Sequence, residues 1–422
     1  YASAILLSRM RQHDEIAKKI LKKLVALQDT RPESKTFGLW SYYLEQPIEG
    51  MEAPDYNWAD FMAKYIIMIL YSCGDILENP LKKKLESALF NAANCSIKRD
   101  VSPDYTNISI MSAFCIIGAG ELLGDKTLLD TGKKRLRRFY DYTLYNSAFS
   151  EYNSSCYTVI AIEEISKMLA FFKDEECIKM AEQLNYYAWQ CLASHYNTAI
   201  RQLSPPQCRA YRDLEAEEIC NLSVRGLLFL ATDGRYGQLK TEDELSFDSL
   251  LVPPECPEEL LILLKETDER WITHTFYKKN ELLKEGEGTI ITNRNTPDLI
   301  AYSYMTKKYS MGAFNISDFW NQRRGPMIVW GKDNPGYFRL RCLKDAYDFC
   351  SGAVYSVQHK NTLLSHVGFF TDRGDVHYIL DKNKSGIYPA KQLLFRFETG
   401  GSTERLEIRG EKNAFVISDG QI

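Results

Sequence analysis

The sequence has no CxxC pair and no cysteine–histidine spacing of zinc type. Its six histidines form neither an HxxxH nor an HExxH pair, so no metal and no cofactor is assigned. No run approaches the roughly 18 uncharged apolar residues of a membrane span, which predicts a soluble chain with no membrane partner. Charge of neither sign dominates: 52 basic against 56 acidic residues give a net charge of -4, which argues against nucleic acid as a partner. The one dense basic cluster, Lys133, Lys134, Arg135, Arg137 and Arg138, reads as a solvated helix face. Eleven cysteines, an odd number at scattered spacings, read as reduced core thiols rather than a disulfide framework. Thiols of that kind favour the cytoplasm; the chain begins at Tyr1 without a methionine, so secretion after removal of a signal peptide is the alternative.

What is present divides in two. At 422 residues the chain exceeds one ordinary core. From residue 10 to about 230 apolar residues recur at helical spacing, as in Ile16, Ile20, Leu24 and Leu27. Further helices are predicted near 79–96, 105–123, 127–143, 156–172, 175–194 and 216–231, joined by short links such as Gly124-Asp125-Lys126 that imply antiparallel hairpins. From about 275 the period becomes two. Strands are expected at 288–292, 326–330, 337–342, 353–357, 393–397 and 415–418. The reading is an α+β multidomain chain: a helical domain over 1–270 and an antiparallel β domain over 271–422.

In the helical half tyrosine recurs beside an amide or carboxylate near helix starts: Tyr56-Asn57, Tyr105-Thr106-Asn107, Tyr152-Asn153 and Tyr211-Arg212-Asp213, at successive intervals of 49, 47 and 59 residues. Hairpins of that length arranged around a ring would bring the clusters to one cleft. The plainer reading is that Asn and Asp are helix N-caps, and Asn57 is read only as a cap. Phe149–Tyr157 carries more hydrogen-bonding capacity than a cap requires, and Arg209 precedes Tyr211 by two residues. Trp40, Tyr42, Tyr43, Tyr56 and Trp58 flank the first hairpin, where they either pack in the core or offer faces to sugar rings.

Tyr105-Thr-Asn-Ile108, Phe149-Ser-Glu-Tyr-Asn-Ser154, Cys208-Arg-Ala-Tyr211, Tyr304–Gly312 and Trp320-Asn-Gln-Arg-Arg324 together resemble the heparinase II/III-like and alginate lyase group. The resemblance implies an incomplete (α/α) toroid followed by an antiparallel β-sandwich, and β-elimination on a uronic-acid polysaccharide. Such a reaction needs donors that neutralise the uronate carboxylate as an enolate forms, a base for the C5 proton, and an acid for the leaving oxygen. Mapped here, Asn107 or Asn153 would neutralise the carboxylate and Tyr211 or Tyr152 would move the proton, with Arg209 as the cation that a basic tyrosine needs. Trp40, Tyr105, Glu151, Gln207 and His195 are the substrate-binding candidates, and an acidic polysaccharide is the expected partner. These lyases commonly place a histidine in the cleft. Neither Asn107 nor Asn153 is followed by one, so the alternatives are a tyrosine-only mechanism, an inactive relative, or entry of His195 or His274 from another loop. The rival functions are a glycoside hydrolase using Glu151 and Asp213 as paired carboxylates, and a carbohydrate-binding protein without catalysis.

Overall fold

The computed structural model of the chain describes residues 1–210, 222–239, 245–278, 298–332, 335–369, 387–402, 407–411 and 414–418; Tyr211, Asp213 and the strand expected at 288–292 lie outside them. The fold is mixed, with helices in the N-terminal half and antiparallel sheets in the C-terminal half. The helices are α1 (Ala2–Leu7), α2 (Asp14–Ala26), α3 (Asn57–Cys73), α4 (Asn79–Arg99), α5 (Thr106–Leu123), α6 (Lys126–Asn146), α7 (Tyr157–Phe171), α8 (Glu175–His195), α9 (Leu222–Ala231) and α10 (Phe247–Leu251). Local chemistry sets their ends. Asp125 accepts the Leu128 N–H at the start of α6, and Asp174 accepts those of Glu176 and Cys177 at the start of α8. Pro80 sits in the first turn of α4, where no N–H is needed. Gly124, at φ +64°, ends α5 by returning its N–H to Gly120.

Two expectations are corrected here. Helix α5, 18 residues with a mean hydropathy of 1.5, is long and apolar enough by length and composition to cross a membrane. It is apolar on every side and 83% buried, packed among α3, α4, α6 and α7, which is the pattern of a central core helix. The basic cluster on α6 is only partly a solvated face. Lys133 and Arg137 pair with Glu176, but Arg135 and Arg138 turn inward. Both bind Asp100; Arg135 also donates to the Ser96 and Ile97 carbonyls and the Ser112 hydroxyl, and Arg138 to the Val101 carbonyl.

The large sheet runs β12-β8-β7-β5-β4-β3, with β3 (Glu269–Tyr277), β4 (Leu299–Thr306), β5 (Tyr309–Phe314), β7 (Met327–Trp330), β8 (Gly336–Lys344) and β12 (Leu393–Gly401) all antiparallel. A second sheet runs β11-β10-β6, from β6 (Ile316–Asp318), β10 (Gly352–His359) and β11 (Thr362–Phe369), and β10 lies against β5. The short pair β1 (Tyr196–Asn197) and β2 (Gln202–Leu203) follows α8; β9 (Tyr347–Asp348) folds back antiparallel on the end of β8, and β13 (Glu407–Glu411) pairs with β14 (Ala414–Ser418).

Polar side chains fasten the two halves together. Arg270 on β3 donates to the Ala193 and Ser194 carbonyls at the end of α8, and Asn197 donates to the Thr306 carbonyl and Ser310 hydroxyl. Ser204 meets Ser303, 2.6 Å apart. The chain after β2 is pressed so closely to the sheet that a Cβ at Gly312 would stand 2.0 Å from the Pro205 carbonyl oxygen. Glycine is therefore required at that point of β5.

Candidate functional site

At this junction a cavity of about 220 Å³ is walled by the α6–α7 connection, one face of α8, and β3. Tyr152, 1% exposed, stacks on Phe276 of β3 with ring centroids 4.5 Å apart. Its hydroxyl lies 3.0 Å from His195 Nε2, at the last residue of α8, and 3.3 Å from His274 Nδ1, on β3. All three residues line the cavity.

The hydrogen bonds dictate where protons sit. His195 Nδ1 is 2.8 Å from the Cys191 carbonyl, which can only accept, so Nδ1 carries the proton and Nε2 presents a lone pair. Tyr152 then donates to His195. Burial lowers His195 to about 4 and also pushes His274 below its ordinary value, so both rings are neutral at neutral pH, while burial holds the Tyr152 phenol well above its own. A neutral His274 has a single N–H to divide between the Tyr152 oxygen and the Ser147 backbone, to which its ring also bonds. The three side chains can therefore accommodate one more proton than they hold.

Beside this group is a second one. Glu151 lines the same cavity, accepts the Asn107 N–H in the first turn of α5 at 3.1 Å, and pairs with Arg209 Nε at 3.5 Å. The Arg209 guanidinium faces three rings, Tyr157 at 4.9 Å, Trp320 at 5.6 Å and Tyr105 at 5.7 Å, and donates to the Tyr157 hydroxyl. Burial raises Glu151 to about 7 despite the Arg209 charge and the Asn107 N–H, both of which act to lower it. Arg209 and Asn153 both have left-handed backbones, at φ +59° and +49°, a conformation that costs energy and clusters at functional sites.

Several side chains act differently from the sequence reading. Asn57 does not cap α3: Asp55 accepts its backbone N–H, while its side chain joins the Tyr105 hydroxyl and Arg99. Asn107 contributes its N–H to Glu151, and its side-chain oxygen is buried without a hydrogen bond. Asn153 spends its amide N–H groups on the Ser204 and Pro206 carbonyls, leaving no donor for an enolate; it is the Ser154 hydroxyl that accepts the Cys156 and Tyr157 N–H groups at the entry to α7. Gln207 bonds the Leu203 carbonyl and pairs through its backbone with Arg324. Trp40 is away from this group, 2% exposed in the helical core with its N–H on the Leu24 carbonyl. Tyr105, Asn107, Glu151, Tyr152, Asn153, His195 and Arg209 form one neighbourhood, and His274 joins it without having been assigned. Its only sequence signal is a histidine at the exit of the helical half, where the period changes. Among the described residues no group of three His, Cys, Asp or Glu side chains is placed to hold a metal ion.

The chain belongs to a family described as Domain of unknown function (DUF8769), which matches residues 1–234. That segment carries Glu151, Tyr152, His195 and Arg209 but ends before His274. No curated protein and no solved structure matches the chain.

Proposed function

We propose that the protein is a polysaccharide lyase that cleaves an acidic, uronate-containing polymer by β-elimination. The observation that carries this reading is the Tyr152 hydroxyl held between two neutral imidazoles in the wall of a cavity between helices and sheet. In the proposed step the Tyr152 oxygen takes the C5 proton as its own proton passes to His195 Nε2. The electron pair left at C5 forms the C4–C5 double bond, and the C4–oxygen bond breaks. The leaving oxygen is protonated from Tyr152, which recovers its proton from His195. Arg209 supplies the positive charge that a uronate carboxylate needs. The architecture is compatible with this: successive helices joined by short links are read as an incomplete (α/α) toroid, and β10 against β5 as two sheets of a β-sandwich.

One observation favours hydrolysis as a second reading. Glu151, raised to about 7 by burial, could serve as a general acid. Products separate the two readings, because elimination leaves a double bond conjugated to a carboxylate and hydrolysis leaves saturated ends. Ultraviolet absorbance should therefore rise when the protein is incubated with a panel of uronate polymers, and Tyr152→Phe should lower that rate by about 10²–10⁴. Saturated products from an active protein would end the lyase reading.

A further inference from the structure

Glu151 lines the cavity and its carboxyl pairs with the guanidinium of Arg209, a residue that is not part of the lining. The rings of Tyr105, Tyr157 and Trp320 stand against the cation at 5.7, 4.9 and 5.6 Å. Because Glu151 lines the cavity and Arg209 does not, an anionic sugar there competes with the Glu151 carboxylate for the cation. We propose that Glu151 is a built-in competitor for the substrate carboxylate: a uronate takes Arg209 from Glu151, and Glu151 accepts one proton from solvent as it lets go. This deepens the lyase reading and rests on it for the class of ligand.

The proton balance has a definite sign. Glu151, held near 7 by burial, is increasingly ionised above that pH, and as an anion it both occupies Arg209 and repels a second carboxylate. Its neighbours cannot discharge it otherwise: Asp104 adds negative charge, the Asn107 N–H is a neutral donor, and Cys208 is a buried thiol held near 11. Besides Glu151, the titratable groups that line the cavity are Tyr152, Tyr187, His195, His274 and Cys191, a thiol that burial raises to about 12. Of these the imidazoles are the ones that could mimic the effect, so the test has to separate carboxyl from imidazole.

Calorimetric titration with glucuronate, using glucose as the neutral control and buffers of different ionisation enthalpy, reads proton uptake directly. In the wild-type chain near pH 8, glucuronate binding should take up close to one proton per site, and Kd should rise about tenfold per pH unit above 7, the slope of a single linked proton. Glucose should do neither. Glu151→Gln should bind glucuronate with a pH-independent Kd and no proton uptake. Should that variant not fold, the infrared difference spectrum of the wild-type chain decides: a protonated carboxyl band should appear on adding glucuronate at pH 8, which an imidazole cannot give. Uptake that persists in Glu151→Gln, absence of the carboxyl band, or wild-type binding without uptake would each overturn the proposal, as would failure of glucuronate to bind. None of these readouts needs turnover. Elimination activity with pH-independent uronate binding would sink this inference alone, and proton-linked binding without unsaturated products would sink only the lyase reading.

Discussion

Two regions of the molecule bury charge, and they do so differently. In the helical half, Lys64 and Lys167 are set against Glu164 and Asp248, with Lys64 at 3.0 Å from Glu164 and 2.5 Å from Asp248, and Lys167 at 2.7 and 2.9 Å from the same two carboxylates. Burial would raise Asp248, but the two lysines outweigh it and hold the carboxyl well below its ordinary range. Two cations meet two anions across α3, α7 and α10. At the junction, Glu151 has one longer ion pair, Tyr152 and the two histidines have one proton fewer than they can hold, and both groups border a cavity. The difference teaches how to separate architecture from chemistry. Charges that cancel over short distances tie helices together, whereas groups left one proton from balance beside open space are equipped to exchange protons.

The comparison can be broken at its paired end first. Asp248→Asn leaves two buried lysines against one carboxylate, and should cost about 3–5 kcal/mol in denaturant unfolding. Tyr152→Phe, by contrast, should lose turnover while unfolding at nearly the same denaturant concentration. Equal effects of both variants on stability would erase the distinction.

Acidity sharpens it next, because the two regions respond with opposite sign. Asp248 has a depressed folded value, so its contribution is present above its ordinary 3.8 and is lost as the pH falls below it. Glu151 has a raised one, so its contribution is present below its ordinary 4.5 and is lost as the pH climbs to about 7, a change of up to about 3 kcal/mol. Thermal melts across this range should show Glu151→Gln flattening the decline between pH 4.5 and 7 while leaving the acid limb intact. The smallest expected effect is at the seam. Gly312→Ala should cost about 1–3 kcal/mol by forcing the Pro205 carbonyl away from β5, with activity falling as the Arg209 loop shifts. A fully active and equally stable Gly312→Ala protein would show that the loop does not depend on this contact.

Helices such as α4 and α8 were readable because they bury one stripe of side chains, and the expected 79–96 and 175–194 stand within a few residues of them. Strand β3 begins at Glu269, before the change of period near 275, because an edge strand that carries Arg270, His274 and Trp271 mixes polar and apolar residues on both faces. Side-chain partners were far less readable. Whether Asn153 caps a helix or binds the chain after β2 depends on a loop some fifty residues away, and only the assembled junction puts those carbonyls within reach. Arg135 and Arg138 look like Lys133 and Lys134 in sequence; what draws them inward is Asp100, at the left-handed residue that ends α4. His274 could be named in sequence only as an alternative entrant from another loop, since its hydrogen-bond partners, Tyr152 and the Ser147 backbone, lie more than a hundred residues earlier.

That division of the triad has a consequence for synthesis. His274 follows His195 by 79 residues, so at 5–20 residues per second a ribosome delivers it roughly 4–16 seconds later. By then the helical half has had time to collapse around its core, while Tyr152 still waits for Phe276 of β3, on which it stacks. The site cannot be complete until β3 arrives and docks. A nascent chain therefore carries the helical scaffold before it carries all three side chains of the candidate site, and β3 brings the last of them.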